Sequence, residues 1–250
     1  MNLNKGPIFN IWNYMNILRI FFVIINPFTF ISYLIFPVGT VSIFLRTPIG
    51  KCKVKLRNRE SARTLYSIFI RKDYPLNSEQ YHIIDLGSNI GLSALYFLTR
   101  NKQNTAALFE PDPYNIGFLK ENLKPFSNRC TIDEVAVTSI DYKEKVNFNI
   151  ANDGKYSSLL SISRDNPLSV KVDVKSFKAI LKKEYTPIGK DIVVKIDVEG
   201  SEMDIIKSID FRDYRKISII IVEGKGFAKE INRKCNYQLI NGYVEFIKFL

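Results

Sequence analysis

The run Ile83-Ile84-Asp85-Leu86-Gly87-Ser88-Asn89-Ile90-Gly91-Leu92 ends an apolar stretch in a carboxylate and follows it with a glycine-punctuated turn that opens an amphipathic segment. Glycine lets a backbone approach a ligand where a Cβ would collide. A dinucleotide fingerprint reads GxGxxG and seats a pyrophosphate on a helix N-terminus. Here the spacing is D-x-G-x-N-x-G, a carboxylate ahead of only two glycines, and a carboxylate suits a cation better than a phosphate. S-adenosylmethionine, with an α-ammonium and a sulfonium, meets that demand better than NAD. Asp85 would contact the methionine amine directly or through water, with Gly87, Ser88, Asn89 and Gly91 forming the turn around it.

A second acidic group, Glu110, ends the run Leu108-Phe109-Glu110, nineteen positions after Gly91. An acidic residue at that place accepts both ribose hydroxyls of an adenosine. Asp112-Pro113 follows, an N-cap with proline at the first helical position, and Asp112 joins the cofactor-binding candidates. The densest run is Val193-Val194-Lys195-Ile196-Asp197-Val198-Glu199-Gly200-Ser201-Glu202. On a strand Val193, Lys195 and Asp197 share one face, and a central parallel strand is covered on both. Lys195 and Asp197 would then be a mutual salt bridge in a packed sheet or line a ligand cavity, and the second reading is the stronger because buried pairs rarely add net stability. With Glu223 after Ile219-Ile220-Ile221-Val222, four strands end in a carboxylate: Asp85, Glu110, Asp197 and Glu223. Open α/β sheets bind ligands outside the carboxyl ends of their strands. The catalytic candidates are Asp197 or Glu199 as acceptor of a hydroxyl proton, with Lys195 orienting the carboxylate; Asp197 also borders the cofactor, and Glu199, Glu202 and Glu223 face the substrate. No histidine joins these carboxylates, so no metal is assigned.

Taken in order, IIDLGSNIG, FEPDPYN, EVAVTS and KIDVEGSE resemble the FkbM-type methyltransferase family, and LRNRESARTLYSIFIRKDYP ahead of them is similar to its lead-in segment, so the likeness spans residues 41–224. The resemblance implies a class I Rossmann-like methyltransferase fold, S-adenosylmethionine as cofactor, and most often O-methylation of sugars, glycans or polyketide-type hydroxyls. It also implies that Asp85, Gly87, Asn89, Gly91 and Glu110 bind cofactor, that Glu134 and Ala136 border the adenine, and that Lys195, Asp197, Glu199 and Glu202 line the reacting end. Two features depart from the family. Phe177-Lys178 stands where a leucine-aspartate pair is usual, and about 27 residues follow Glu223, a tail short for a last helix plus an antiparallel strand pair.

These residues need a scaffold, and from Tyr81 onward strand-length apolar runs alternate with helix-period segments. Strands are expected near 82–86, 106–109, 132–137, 192–197 and 217–223, and helices near 90–100, 114–123, 176–182 and 202–209. The fold class that follows is α/β, a doubly wound, mostly parallel sheet with an apolar N-terminal helical segment and a β-hairpin lead-in. The divisions are 1–40 for the apolar segment, 41–80 for the lead-in and 81–250 for the methyltransferase domain. Residues 152–166 read as a polar loop, and His82, the one histidine, falls at the wrong end of its strand for chemistry.

The chain has 250 residues, 46% hydrophobic and 24% charged, enough for a full core and too apolar for wholesale disorder. Its net charge of +11 points to an anionic partner. No charged residue lies between Ile20 and Leu45, a length that could cross a bilayer, but Pro27 and Pro37 interrupt it. One or two apolar helices lying on a membrane or on the domain are expected, and Val41 to Leu45 reads as the first strand of a hairpin turning at Thr47-Pro48-Ile49-Gly50. Arg46, Lys51, Lys53, Lys55, Arg57, Arg59 and Arg63 follow, either facing anionic lipid on the cytoplasmic side or forming a solvated hairpin face. Met1 to Phe22 carries no cleavable signal pattern, and Cys52, Cys130 and Cys235 read as reduced thiols. The location expected is cytoplasmic, peripheral or anchored at the inner membrane face. The acceptor expected is a sugar, glycan or other hydroxyl-bearing molecule. The basic surface would also suit an RNA or protein methyltransferase, yet no aromatic-basic module supports nucleic acid as a partner. A membrane-associated protein with a vestigial fold would need a damaged cofactor turn, and this one is intact.

Overall fold

The computed structural model describes residues 11–150, 169–185 and 189–250, so the loop expected at 152–166 lies outside the described residues. A seven-stranded sheet organises the molecule. Its strands are β3 (Tyr81–Leu86), β4 (Thr105–Phe109), β5 (Cys130–Asp133), β9 (Asp191–Ile196), β10 (Ile217–Glu223), β11 (Cys235–Ile240) and β12 (Val244–Phe249), in the order β11-β12-β10-β9-β3-β4-β5. From β10 through β5 every pairing is parallel, and β12 and β11 close the edge antiparallel.

Alternation along the parallel strands explains why helices cover both faces. Ile83, Leu108, Val193 and Ile221 pack into one core with α4 (Leu92–Leu98) and α5 (Pro113–Leu123). Ile84, Ala107, Val194 and Ile220 pack into a second with α6 (Phe177–Glu184) and α7 (Glu202–Lys207). β3 is buried at all six positions, as a central parallel strand must be. Asp112 caps α5, its Oδ1 accepting from Tyr114 N at 2.8 Å ahead of Pro113.

One expectation is corrected and one, the short tail, is made specific. The single strand expected at 132–137 is broken at Glu134: β5 stays in the large sheet, while β6 (Val135–Thr138) pairs parallel with β8 (Ser169–Ser176) in a three-stranded sheet completed by β7 (Val146–Asn149). The tail judged short accommodates the antiparallel pair in full, because the turn at Asn241 and Gly242 joins β11 to β12 directly and a 3-10 turn at Ala228–Glu230 takes the place of a last helix. Phe177, in the place of the family's leucine, is fully buried at the start of α6.

The N-terminal third packs on the first core. The helices α1 (Ile11–Val23) and α2 (Pro27–Ile35) precede the hairpin β1 (Val41–Thr47) and β2 (Gly50–Leu56), which leads to α3 (Arg59–Leu65) and a π-helix over Tyr66–Arg71. Among the described residues no helix is long and apolar enough to cross a membrane. His82 is buried at the start of β3 between Thr105 Oγ1 at 2.9 Å and Glu184 at 3.2 Å, and the three cysteines are unbridged.

Candidate functional site

A cavity of about 300 Å³ opens at the carboxyl ends of β3, β4, β9 and β10, where strand order reverses between β3 and β9. Its floor is the turn after β3 and the loop after β9. Gly87 sits in the left-handed region at φ 78°, and a Cβ there would stand 1.8 Å from the backbone oxygen of Asp197, so only glycine lets these two strand ends meet. Ser88 locks the turn, its hydroxyl donating to Asp85 O at 2.9 Å and accepting from Phe109 N at 3.2 Å.

Asp85 and Lys195 are lateral neighbours in register on β3 and β9, both almost fully buried. Lys195 Nζ lies 3.4 Å from Asp85 Oδ1 and 3.2 Å from Asp197 Oδ2, and donates to Gly87 O at 2.6 Å. Ser93 Oγ donates to Asp85 Oδ2 at 2.6 Å. Burial would lower the lysine pKa, but the carboxylates of Asp197, Asp85 and Glu223 outweigh it and raise it, which favours the ammonium form. The mutual salt bridge and the ligand cavity read as alternatives from sequence are thus both present: Lys195 is buried, yet its partner Asp197 keeps a quarter of its side chain exposed and lines the cavity.

Glu110 stands on the opposite wall, just past β4. Its oxygens accept from Asn89 N at 2.7 Å, Asp112 N at 3.0 Å and Asn115 Nδ2 at 3.3 Å. Burial raises its pKa to about 7 although those hydrogen bonds oppose the rise. Asn89 and Glu199, both on the cavity wall, hold positive φ at 48° and 54°, a conformation that non-glycine residues seldom adopt and that clusters at functional sites. Glu202 steadies the second by accepting from Val198 N at 3.1 Å and Gly200 N at 2.9 Å.

The site residues expected from sequence therefore separate. Gly87, Ser88, Asn89, Glu110, Ala136, Lys195, Asp197, Glu199 and Glu223 line the cavity. Asp85 lies beneath it, Asp112 caps α5, and Glu202 braces the loop after β9. Gly91 faces α5, where a Cβ would come 2.7 Å from Leu119. Glu134 points away to Lys120 at 2.6 Å. One whole wall was missed: Asn58, Thr64, Ser67 and Arg71 from α3 and the π-helix, with Tyr74 and Tyr243. Tyr74 donates to Glu223 Oε1 at 3.0 Å, and Tyr243 and Asn241 hydrogen-bond to Asp73, which is also bound by Arg71 at 2.5 Å.

This donor set fits a cation that carries a diol. The carboxylates of Glu110, Asp197, Glu199 and Glu223 line the space, and Val135, Ala136, Val137 and Phe148 offer it an apolar slot. Residues 85–249 match the methyltransferase FkbM domain. The chain is 26% identical to Methyltransferase 1 of Beauveria bassiana over 70% of its own length and 75% of that protein. Among solved structures, the SAH-bound methyltransferase of Podospora anserina covers 78% of this chain and 80% of its own at 12% identity and a TM-score of 0.40. The precorrin-6y C5,15-methyltransferase of Geobacter metallireducens covers 78% and 89% at 11% identity and a TM-score of 0.40. Motifs, strand order and family match agree: the chain belongs to the FkbM methyltransferase domain family, a class I Rossmann-like methyltransferase with S-adenosylmethionine as its cofactor.

Proposed function

We propose that the protein methylates a hydroxyl oxygen of a sugar or glycan. The observation that carries this reading is Asp197: a carboxylate facing the cavity and fixed from behind by Lys195 at 3.2 Å, where a reacting hydroxyl needs its proton accepted. When bound, S-adenosylmethionine supplies a sulfonium methyl group, whose leaving group is a neutral thioether and already an excellent one. The chain's task is then alignment and exclusion of water. Glu110 would accept hydrogen bonds from the ribose hydroxyls, Ala136 and its neighbours would border the adenine, and Asp85 would act on the amine end from beneath the cavity, by offsetting the positive charge of Lys195. Asp197, or Glu199 beside it, accepts the proton. The polar lining of the outer wall, Asn58, Thr64, Ser67 and Tyr243 together with Glu223, supports a polyhydroxyl acceptor.

The test has two stages. Calorimetric titration with S-adenosylhomocysteine measures cofactor binding, and mass spectrometry of cell-surface glycans with and without the gene looks for one methyl group per sugar. Unchanged glycans in the deletion, with the cofactor bound normally, would remove the acceptor assignment and leave the methyltransferase standing.

A further inference from the structure

Helix α1 is amphipathic the wrong way round for a helix on a water-facing surface. Its one charged residue, Arg19, turns inward, donating to Asn16 Oδ1 at 3.1 Å and Ile70 O at 3.4 Å, and Asn16 is buried. Met15, Leu18 and Phe22 form an exposed stripe, with Ile17 and Phe21 beside it. The next helix continues the surface. Phe28 of α2 meets Phe21 edge-on at 5.9 Å, and Ile35 and Phe36 are exposed further along. Phe22, Phe28 and Phe36 are 74%, 75% and 72% exposed, far more than isolated surface aromatics need be.

A basic face adjoins this corner. The corner is stitched to β1 by the bridge between Ile24 and Leu45 and by Ile25 N donating to Phe44 O at 2.7 Å. The register of β1 and β2 pairs Phe44 with Lys53 and Arg46 with Lys51, so all four share the outer face of the hairpin, and all four are exposed. Arg46 also closes α1, donating to the carbonyls of Phe21 and Phe22 at 3.2 and 3.1 Å.

We propose that this face seats the protein on an anionic phospholipid surface, with α1 and α2 lying in the plane of the headgroups and Arg46, Lys51 and Lys53 meeting the lipid phosphates. Apolar side chains at one level with cations at their edge is the arrangement that interfacial binding requires. The α1 helix, at 13 residues, is about 20 Å long and far short of a span, so it lies on the bilayer. Charge favours an anionic lipid surface over a second copy of the chain as occupant, because the matching face of a second copy brings more positive charge and no anion to meet these cations. The seat is fastened to the cavity wall: Arg19 holds the π-helix through Ile70 O, and Arg59 of α3 donates to Ile35 O at 2.8 Å.

The experiment sediments the full chain with vesicles of phosphatidylcholine, with or without phosphatidylglycerol, over a range of salt. The expected result is co-sedimentation with the anionic vesicles only, lost as salt rises. F22S/F28S and K51E/K53E should each weaken partitioning by at least about tenfold. S-adenosylhomocysteine affinity in both variants should equal that of the parent, which shows that they fold. Three results overturn the proposal: the parent chain remains in the supernatant with anionic vesicles at low salt, the folded variants sediment as the parent does, or light scattering finds a dimer that F22S/F28S dissociates.

Discussion

Burial holds Glu110 half-ionised near neutrality, with a pKa of about 7 against an ordinary value of 4.5. Between those two values the folded chain binds the proton more tightly than the unfolded chain, so stability falls as pH rises through that window, by roughly 3 kcal/mol, and is level above it. Ligand binding runs the other way. In the role proposed for it, accepting from two ribose hydroxyls, the carboxylate must be ionised, so affinity for S-adenosylhomocysteine should rise about tenfold from pH 6 to pH 8. In Glu110→Gln that dependence should vanish; calorimetry showing a flat profile in the parent chain would end this role for the residue. Asp197→Asn should keep cofactor affinity and lose methyl-transfer turnover at least tenfold on the proposed acceptor. Normal turnover would take Asp197 out of the reaction. Lys195→Met leaves Asp85 buried with no counter-charge, and thermal melts should register a loss of about 3–5 kcal/mol.

The two glycines of the cofactor turn do different work at the level of elements. An alanine at Gly87 would drive its Cβ against the backbone of Asp197, which only a shift of the β9 loop can relieve. An alanine at Gly91 meets the tip of Leu119, which can rotate away. Both positions have positive φ, so both substitutions are strained, yet Gly87→Ala should cost more stability and lose S-adenosylhomocysteine binding, while Gly91→Ala should retain it. Equal effects on binding would contradict this division. The carboxylates at the strand ends were legible in the sequence because a charge that closes an apolar run is costly to bury unless it meets a partner or a ligand. The break at Glu134 was not, since Ile132 to Val137 keeps a strand-like pattern and only pairing with β8 draws Val135 out of the large sheet. The wall built by Ser67 and Arg71 was equally hidden. Helical periodicity assigns faces at about 3.6 residues per turn, and a π-helix rotates that count.

Across the whole molecule, the lead-in and the sheet share one hydrophobic core. Ile20, Phe30, Ile43, Leu65 and Phe69 belong to the same buried cluster as Ile83, Leu95 and Val193. Removing residues 1–40 would uncover the partners of Ile20, Ile24 and Phe30, and the shortened chain should lose its cooperative thermal transition. A sharp transition at the parent's temperature would show that the remainder folds alone. The fold class was readable at this scale from the alternation of strands and helices, whereas the unit formed by the lead-in and the sheet depends on contacts between residues far apart in the chain.

The clasp between Tyr243 and Asp73 joins positions 170 residues apart. During synthesis the turn at the cofactor end can take shape well before that partner leaves the ribosome. The outer wall cannot be tied down until β11 and β12 have been made. A chain cut short before β11 therefore lacks both this clasp and the buried side chains of Val244, Ile247 and Phe249, so the last stretch to be made is the one that closes the core and ties the wall.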